Sequence, residues 1–400
     1  MTSTEQHRPS SFYALDGIRG ITALIIAFLH HNVFSSFMSN SHASLSDALG
    51  LTAPFGMMLQ VIAMYGGIGV DLFFCISGFV FYMNYKDRIA NKSISLNEFA
   101  LFRFSRIYPL HWATLLITIL LFIFARLTNS MSALIRSEHY PLFSVSAYNI
   151  WEAFTSVFLV QGLWTTSGKA FNPPAWTLTY ELLAYLIFFM LCRKSKRENG
   201  IIFFIIPIFL GLFLAIRGSS LPLLGGEGTS RVLIAFFSGC LLYNFFVRTR
   251  KKHIRRIIAF VSGMVFSGLS YLIIFASNSP LLSGERYLQI LQLIWVPSLI
   301  MVVLSTKWIN WFFSLRFFRW LGALSYSVYL WHFPVLIAIH IVMFINGERD
   351  WNVNLIAYAI WIAATLLISH FSCYFFEQPI QKYIRTKYFD SRTSQKPSLE

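Results

Sequence analysis

The chain has 400 residues, 32 Lys and Arg against 17 Asp and Glu, and a formal net charge of +15. Hydrophobic residues make up 56% and charged residues only 12%, about half the share usual in soluble domains, which excludes a water-soluble globular chain and makes the bilayer its solvent. With 13 Pro, 22 Gly and 4 Cys, disordered, collagen-like and disulfide-stapled chains are excluded too. The cysteines, Cys75, Cys192, Cys240 and Cys373, fall in or at the edge of apolar runs without paired spacing. They give neither a disulfide nor a zinc signal.

In chain order, ten apolar runs are long enough to span: 13–36, 62–84, 107–126, 175–192, 200–216, 230–247, 257–276, 287–305, 321–345 and 353–375. The fold expected is all-α, a polytopic membrane helix bundle. The run 149–164 is apolar and aromatic, but counting it as a span would split the basic clusters between the two sides. It is therefore read as an interfacial or re-entrant segment. On this reading 25 of the 32 Lys and Arg lie on one face of the membrane, which makes that face, and both termini, cytoplasmic. The short interspersed clusters orient a membrane protein and do not form a basic domain able to grip nucleic acid. The first run is flanked by Asp16, Arg19, His30 and His31 with no small-residue cleavage site close behind, so it reads as a span and not a cleaved leader. The expected organisation is a tail at 1–12, a membrane domain at 13–378 and a tail at 379–400. Chemistry is expected within the membrane or at its faces.

Ionisable groups inside apolar runs cost about 2.5–3.5 kcal/mol even on insertion scales, so each needs a reason. In LDGIRG, Asp16 lies one turn before Arg19 and can pair with it. Arg19 and His30 are eleven residues apart, roughly 16 Å of rise with about 20° of rotation, so they share one helix face. A snorkelling arginine and a packing histidine are the structural alternative. Asp71, in GGIGVDLFFCISGF, needs a partner such as an Arg. Arg103 and Arg106, one turn apart in FRFSRIYPLHW, suit a phosphate-bearing ligand or a plain positive-inside anchor, with Tyr108 and Trp112 as interface aromatics. In NPPAWTLTYELLAY, Glu181 suits an acid/base, a sugar-hydroxyl acceptor or a structural pair, with Trp176 and Tyr180 as stacking surfaces. Ser325 and Tyr326 lie near the inner end of the ninth run, His332 reads as a helix-packing hydrogen bonder, and Glu377 as a cap or ion pair. No Walker loop, nucleophile elbow or metal-ligand histidine pair is present, and no metal is expected.

Taken in order, LDGIRG with His30, GVDLFFCISGF, RFSRIYPLHW, WTLTYELLAY, LSYSVYLWHFP and FEQP resemble the membrane acyltransferase-3 family over about 12–385. The resemblance implies acylation of extracytoplasmic carbohydrates, with no permanently bound cofactor and acyl-CoA, most often acetyl-CoA, as donor substrate. It implies that Arg19 and His30 are needed for activity and that Arg103 and Arg106 form a cytoplasmic donor-binding pair. Some members carry a fused extracytoplasmic hydrolase-like domain. This sequence ends at 400 without one, which points to direct transfer or to hand-over to a separate protein. The wording WTLTYELLAY is closer to exopolysaccharide and Nod-factor members than to peptidoglycan-modifying ones.

The mechanism expected holds the CoA phosphates on Arg103, Arg106 and Arg19, and brings the thioester toward His30. An imidazole of unperturbed pKa about 6.5 then takes the acceptor hydroxyl's proton. A covalent acyl-histidine is the variant. Glu181 is a second acid/base, with Tyr326, Ser325 or an Arg as oxyanion donors. Expected partners are the lipid bilayer, acyl-CoA and a carbohydrate such as exopolysaccharide or O-antigen, in the cell inner membrane. Two alternatives stand beside this reading: a secondary transporter or flippase for a lipid-linked carbohydrate using the same charges as a proton relay, and acylation of a small hydrophobic metabolite.

Overall fold

The computed structural model describes residues 12–39, 67–130, 150–164, 171–194, 202–217, 227–249, 251–276, 285–347 and 355–394. Among them there is no strand. The helices, in order, are α1 (Tyr13–Ser39), α2 (Ile68–Ala90), α3 (Leu96–Leu127), α4 (Ile150–Val157), α5 (Gln161–Trp164), α6 (Trp176–Lys194) and α7 (Ile205–Arg217). They continue with α8 (Glu227–Arg248), α9 (Lys252–Ala276), α10 (Glu285–Ser305), α11 (Lys307–Phe313), α12 (Arg316–Ile345), α13 (Leu355–Phe371) and α14 (Gln378–Ser394). Seven helices among the described residues are long and apolar enough to cross a membrane. An eighth is formed if α10 and α11, bent by 94° at their junction, count as one span. The protein is an all-α, multi-pass membrane protein.

Every apolar run found in the sequence carries a helix, with local differences. The run 200–216 is a short helix, Ile202–Arg217, and 287–305 ends, as read, at 305, where the sharp bend follows. The run 149–164 forms two pieces of 8 and 4 residues. At about 1.5 Å per residue neither can cross about 30 Å of hydrocarbon. The part of the second run before 67 lies outside the described residues.

The chain divides into two compact units. The first holds residues 1–32, 51–92 and 179–325, the second 33–50, 93–178 and 326–400. In the first, α2 and α8 cross closely because glycines permit it. A Cβ on Gly78 would collide with the Phe236 carbonyl, and one on Gly239 with that of Cys75. Close backbone approach through small residues is the usual packing device where lipid supplies no hydrophobic drive. Phe79, Phe81, Phe188 and Phe236 fill the space around this crossing, with ring pairs such as Phe81 and Phe188 at 5.9 Å edge to face.

In the second unit, proline breaks are repaired by side chains. Pro334 inside α12 lacks the N–H that would bond the Leu330 carbonyl one turn earlier. The buried Asn172 amide donates to that carbonyl instead, at 3.1 Å. Tyr329 Oη donates to the Pro174 carbonyl at 2.8 Å and lies 2.9 Å from Thr177 Oγ1. The NPP turn is thereby fixed to α12.

Candidate active site

In the first unit the LDGIRG stretch owes its glycines to packing. A Cβ on Gly17 would meet the Phe313 carbonyl, one on Gly20 would meet Leu321 and Gly322, and one on Gly322 would meet the Asp16 carbonyl. So α1 lies backbone to backbone against the start of α12, and Asp16 and Arg19 are set by that contact. The two form an i,i+3 ion pair at 3.9 Å, with side chains 22% and 28% exposed. A pair this open adds little stability and mainly orients the guanidinium. His30, on the same face of α1, is partly buried.

Asp71 finds the arginine its burial demands. Arg231 of α8 donates from Nε to Oδ1 at 3.0 Å and from Nη2 to Oδ2 at 2.9 Å, and Nη2 also reaches the Gly67 carbonyl at 2.6 Å. This is the two-pronged geometry that a guanidinium provides and an ammonium does not. Glu181 of α6 accepts from the Tyr185 hydroxyl one turn on and from Ser77 Oγ of α2 at 3.2 Å. Two hydroxyls and no cation hold this carboxyl among the described residues. The Tyr185 ring stacks on Phe81 at 4.1 Å, fixing the hydroxyl's direction. Tyr180 is buried with its ring against Gly228, a core position rather than an open stacking face. Ser325 is fully buried, and its Oγ makes no hydrogen bond among the described residues.

The second unit gathers the other charges around one stretch of α3. Ser95 caps this helix by accepting from the Glu98 N–H at 3.2 Å, which sets the register of the arginines that follow. Arg106 pairs with Glu377, whose other oxygen accepts from Ser327 Oγ at 2.8 Å. The Arg106 guanidinium lies 5.0 Å over the Tyr326 ring. Tyr326 in turn donates its hydroxyl to the Ile107 carbonyl at 2.7 Å, in the turn that Pro109 weakens. Arg103 sits one turn away, over Phe99 at 5.9 Å. A third guanidinium, Arg385 of α14, lies over Phe102 at 5.3 Å and donates to Ser105 Oγ at 3.3 Å. Glu377 faces this cluster from the last residue of a π-helical turn, Ser372–Glu377, between α13 and α14. Such wide turns recur at functional sites because they re-aim one side chain without ending the helix.

The end of the RFSRIYPLHW motif does something else. Tyr108 donates to the Phe158 carbonyl at 3.2 Å and Trp112 to the Val157 carbonyl at 2.9 Å, while His111 Nε2 meets the Ser156 carbonyl at 2.8 Å. A carbonyl can only accept, so Nε2 carries the proton. Three rings of α3 thus bond carbonyls at and just past the C-terminal end of α4, where the Ser156 carbonyl also accepts from the Leu159 N–H at 3.1 Å. His332 is fully buried with Nδ1 3.1 Å from the Val328 carbonyl, and its own carbonyl accepts from Trp361 at 3.2 Å, a packing role. Trp176 opens α6 and is partly buried. Sequence reasoning missed Arg385 and His111. The signal for both was present only as a basic residue in a polar tail and a histidine between two aromatics. No cluster of three or more metal-ligating side chains exists among the described residues.

The charges therefore fall into a partly buried Arg19 and His30 on α1 in one unit, and an arginine cluster anchored by Glu377 in the other. The acyltransferase-domain family matches residues 12–374. The peptidoglycan O-acetyltransferase OatA of Listeria monocytogenes serovar 1/2a is 27% identical over 365 residues, covering 86% of this chain and 56% of that protein. The O-acetyltransferase OatA of Staphylococcus aureus strain NCTC 8325 is 24% identical over 346 residues, covering 79% of this chain and 53% of its own length. The chain thus spans about half the length of the curated relatives it matches. No solved structure matches it. With a family match running from the start of α1 into the π-helical turn, and the quoted motifs all inside or beside it, the chain belongs to the acyltransferase-3 family.

Proposed function

We propose that the protein is a membrane O-acyltransferase that moves an acyl group, acetyl in the first instance, from cytoplasmic acyl-CoA to a hydroxyl of an extracytoplasmic carbohydrate. The observation that carries this reading is the family match over nearly the whole chain. Arg103, Arg106 and Arg385, gathered on one stretch of α3, supply the donor end. Guanidiniums stay charged and bind phosphate oxygens in pairs, and the Glu377 and Tyr326 contacts hold the Arg106 fork in place. On this reading that end of α3 faces the cytoplasm, both termini are cytoplasmic, and the membrane is the cell inner membrane.

His30 is the base. Its imidazole takes the proton as the acceptor oxygen bonds to the thioester carbonyl carbon. The C–S bond then breaks, and the proton passes to the departing CoA thiolate. Arg19, oriented by Asp16 and about 16 Å from His30 along the same helix face, contributes positive charge for the donor. Glu181, held by two hydroxyls, is the second acid/base and the group that accepts from a sugar hydroxyl. The acceptor class extends from exopolysaccharide or O-antigen to peptidoglycan, since the Listeria relative is a peptidoglycan O-acetyltransferase.

The test is acyl transfer from labelled acetyl-CoA in proteoliposomes, with mass spectrometry of surface glycans from cells with and without the protein. His30→Ala should abolish transfer in a protein that still inserts. Arg103→Ala with Arg106→Ala should raise the acetyl-CoA half-saturation at least tenfold. Transfer that survives His30→Ala removes the base, and carbohydrate movement without acyl-CoA consumption would replace the whole reading with transport.

A further inference from the structure

The last span is built inside out. Its lipid-facing side is apolar, with Leu367 59%, Phe371 53% and Phe375 73% exposed. Its buried side opens on Tyr358 and Trp361 and is polar from Thr365 onward. Thr365, Ser369, Cys373 and Glu377 recur every fourth residue and are 2%, 0%, 1% and 2% exposed. Four residues of α-helix overshoot a full turn by about 40°, and the wider π-helical turn at Ser372–Glu377 undershoots one, so the turn brings Glu377 back under the row. The row ends on the carboxylate that holds Arg106.

Two of these groups, like the buried Ser325 and several other hydroxyls, lack the back-bond that a helix ordinarily supplies. Thr22, Thr114, Thr118 and Ser270 bond the carbonyl one turn back, at 2.8, 3.1, 2.7 and 2.7 Å, which is how a helix in lipid ordinarily satisfies a hydroxyl. Thr365 Oγ1 and Ser369 Oγ are buried and make no hydrogen bond to any described residue. A buried hydroxyl without a back-bond calls for a partner of another kind. Polar groups inside a span turn to the bundle interior rather than to lipid.

We infer that the Thr365–Ser369–Cys373 row is the track along which the amide-bearing pantetheine arm of the acyl donor lies, starting from the Arg106–Glu377 anchor. The inference rests on the acyl-CoA reading above and names the wall of the donor passage. The chemistry matches, because each amide of the arm offers one N–H and one carbonyl to a hydroxyl that can both accept and donate. The length matches as well. The arm is about as long as four extended residues, roughly 14 Å. Ser369 lies about 12 Å and Thr365 about 18 Å along the helix from Glu377. A thiol at the end of the arm arrives between them.

A thiol walk tests this. In a Cys373→Ser background, Ser369→Cys and Thr365→Cys are incubated with free CoA and the oxidant diamide, which takes one hydrogen from each thiol as the mixed disulfide forms. Intact-protein and peptide mass spectrometry then locates the CoA adduct. The adduct is expected at position 369 or 365 at several times the yield found at native Cys373. It should be lost on adding Arg103→Ala and Arg106→Ala and remain absent from the buried Cys75, Cys192 and Cys240. Acetyl transfer by the unsubstituted protein is measured in parallel. Transfer with no adduct at either position, or adducts spread equally over all cysteines, overturns the track and leaves the acyl-CoA reading standing. Loss of transfer and of CoA binding in the unsubstituted protein overturns both.

Discussion

The Asp71–Arg231 pair gives the sharpest test of how the first unit holds together. Both side chains are deeply buried, at 2% and 11% exposure, and share two hydrogen bonds at 3.0 and 2.9 Å. Asp71→Leu takes both of these hydrogen bonds from the Arg231 guanidinium, and Arg231→Leu takes them from the Asp71 carboxylate. Breaking a buried pair costs about 3–5 kcal/mol, and a lone charge in a span costs about as much on insertion scales. Taking about 3 kcal/mol for each, two independent losses would sum to about 6 kcal/mol. The double variant Asp71→Leu with Arg231→Leu removes both charges, and paired apolar replacement is often nearly neutral, so it should lie within about 1 kcal/mol of the original. The coupling is then about 5 kcal/mol, well above the error of a double-mutant cycle. Cys75, Cys192, Cys240 and Cys373 are free and buried, so a thiol-reactive dye reads the unfolding midpoint in detergent directly. A double variant that loses as much as the two single variants combined would refute the pairing argument.

Asn172→Ala should lower stability by about 1–3 kcal/mol, since it strands the Leu330 carbonyl. Adding Pro334→Ala restores a backbone donor to that carbonyl and should recover most of the loss in the same dye assay. Gly78→Ala drives a Cβ into the Phe236 carbonyl and should cost about 2 kcal/mol or more, seen as a lowered midpoint and yield. Gly263→Ala and Gly268→Ala have no atom within 4 Å of the new carbon and should hold or gain up to about 1 kcal/mol. Glu377→Gln loosens the Arg106 fork and should reduce kcat/KM about tenfold, chiefly through KM for acetyl-CoA. An effect on kcat alone would give Glu377 a different role.

Much of the architecture was legible because lipid imposes a simple rule: a span must be apolar for about 20 residues. The need of Asp71 for an arginine, and of Glu377 for a cap or ion pair, followed from the cost of burying charge. Which arginine could not be read, because Arg231 lies 160 residues away and is one of 32 basic residues. The end of the eighth run at 305 was readable from Thr306 and Lys307, but the 94° angle that follows was not, because hydropathy carries no direction. The Thr365–Ser369–Cys373–Glu377 row was hidden by the bulk around it. Four small or polar residues scattered among Leu, Ile and Phe scarcely lower the hydropathy of the span, although they carry its inner face beyond Tyr358 and Trp361. Pairing of Asp16 with Arg19 was readable because it is local, whereas the gathering of Arg385 with Arg103 and Arg106 depends on the chain's return after more than 270 residues.

The rings that Tyr108, His111 and Trp112 extend to the end of α4 bear on how the protein is made. A stub of two turns whose Val157 and Phe158 carbonyls depend on rings of another helix cannot be released into hydrocarbon by itself. It must wait at the headgroups until the preceding span stands upright and offers its three donors. Assembly at this point is therefore ordered, span first and stub second, and a lesion in those rings would show as a chain that inserts yet never closes.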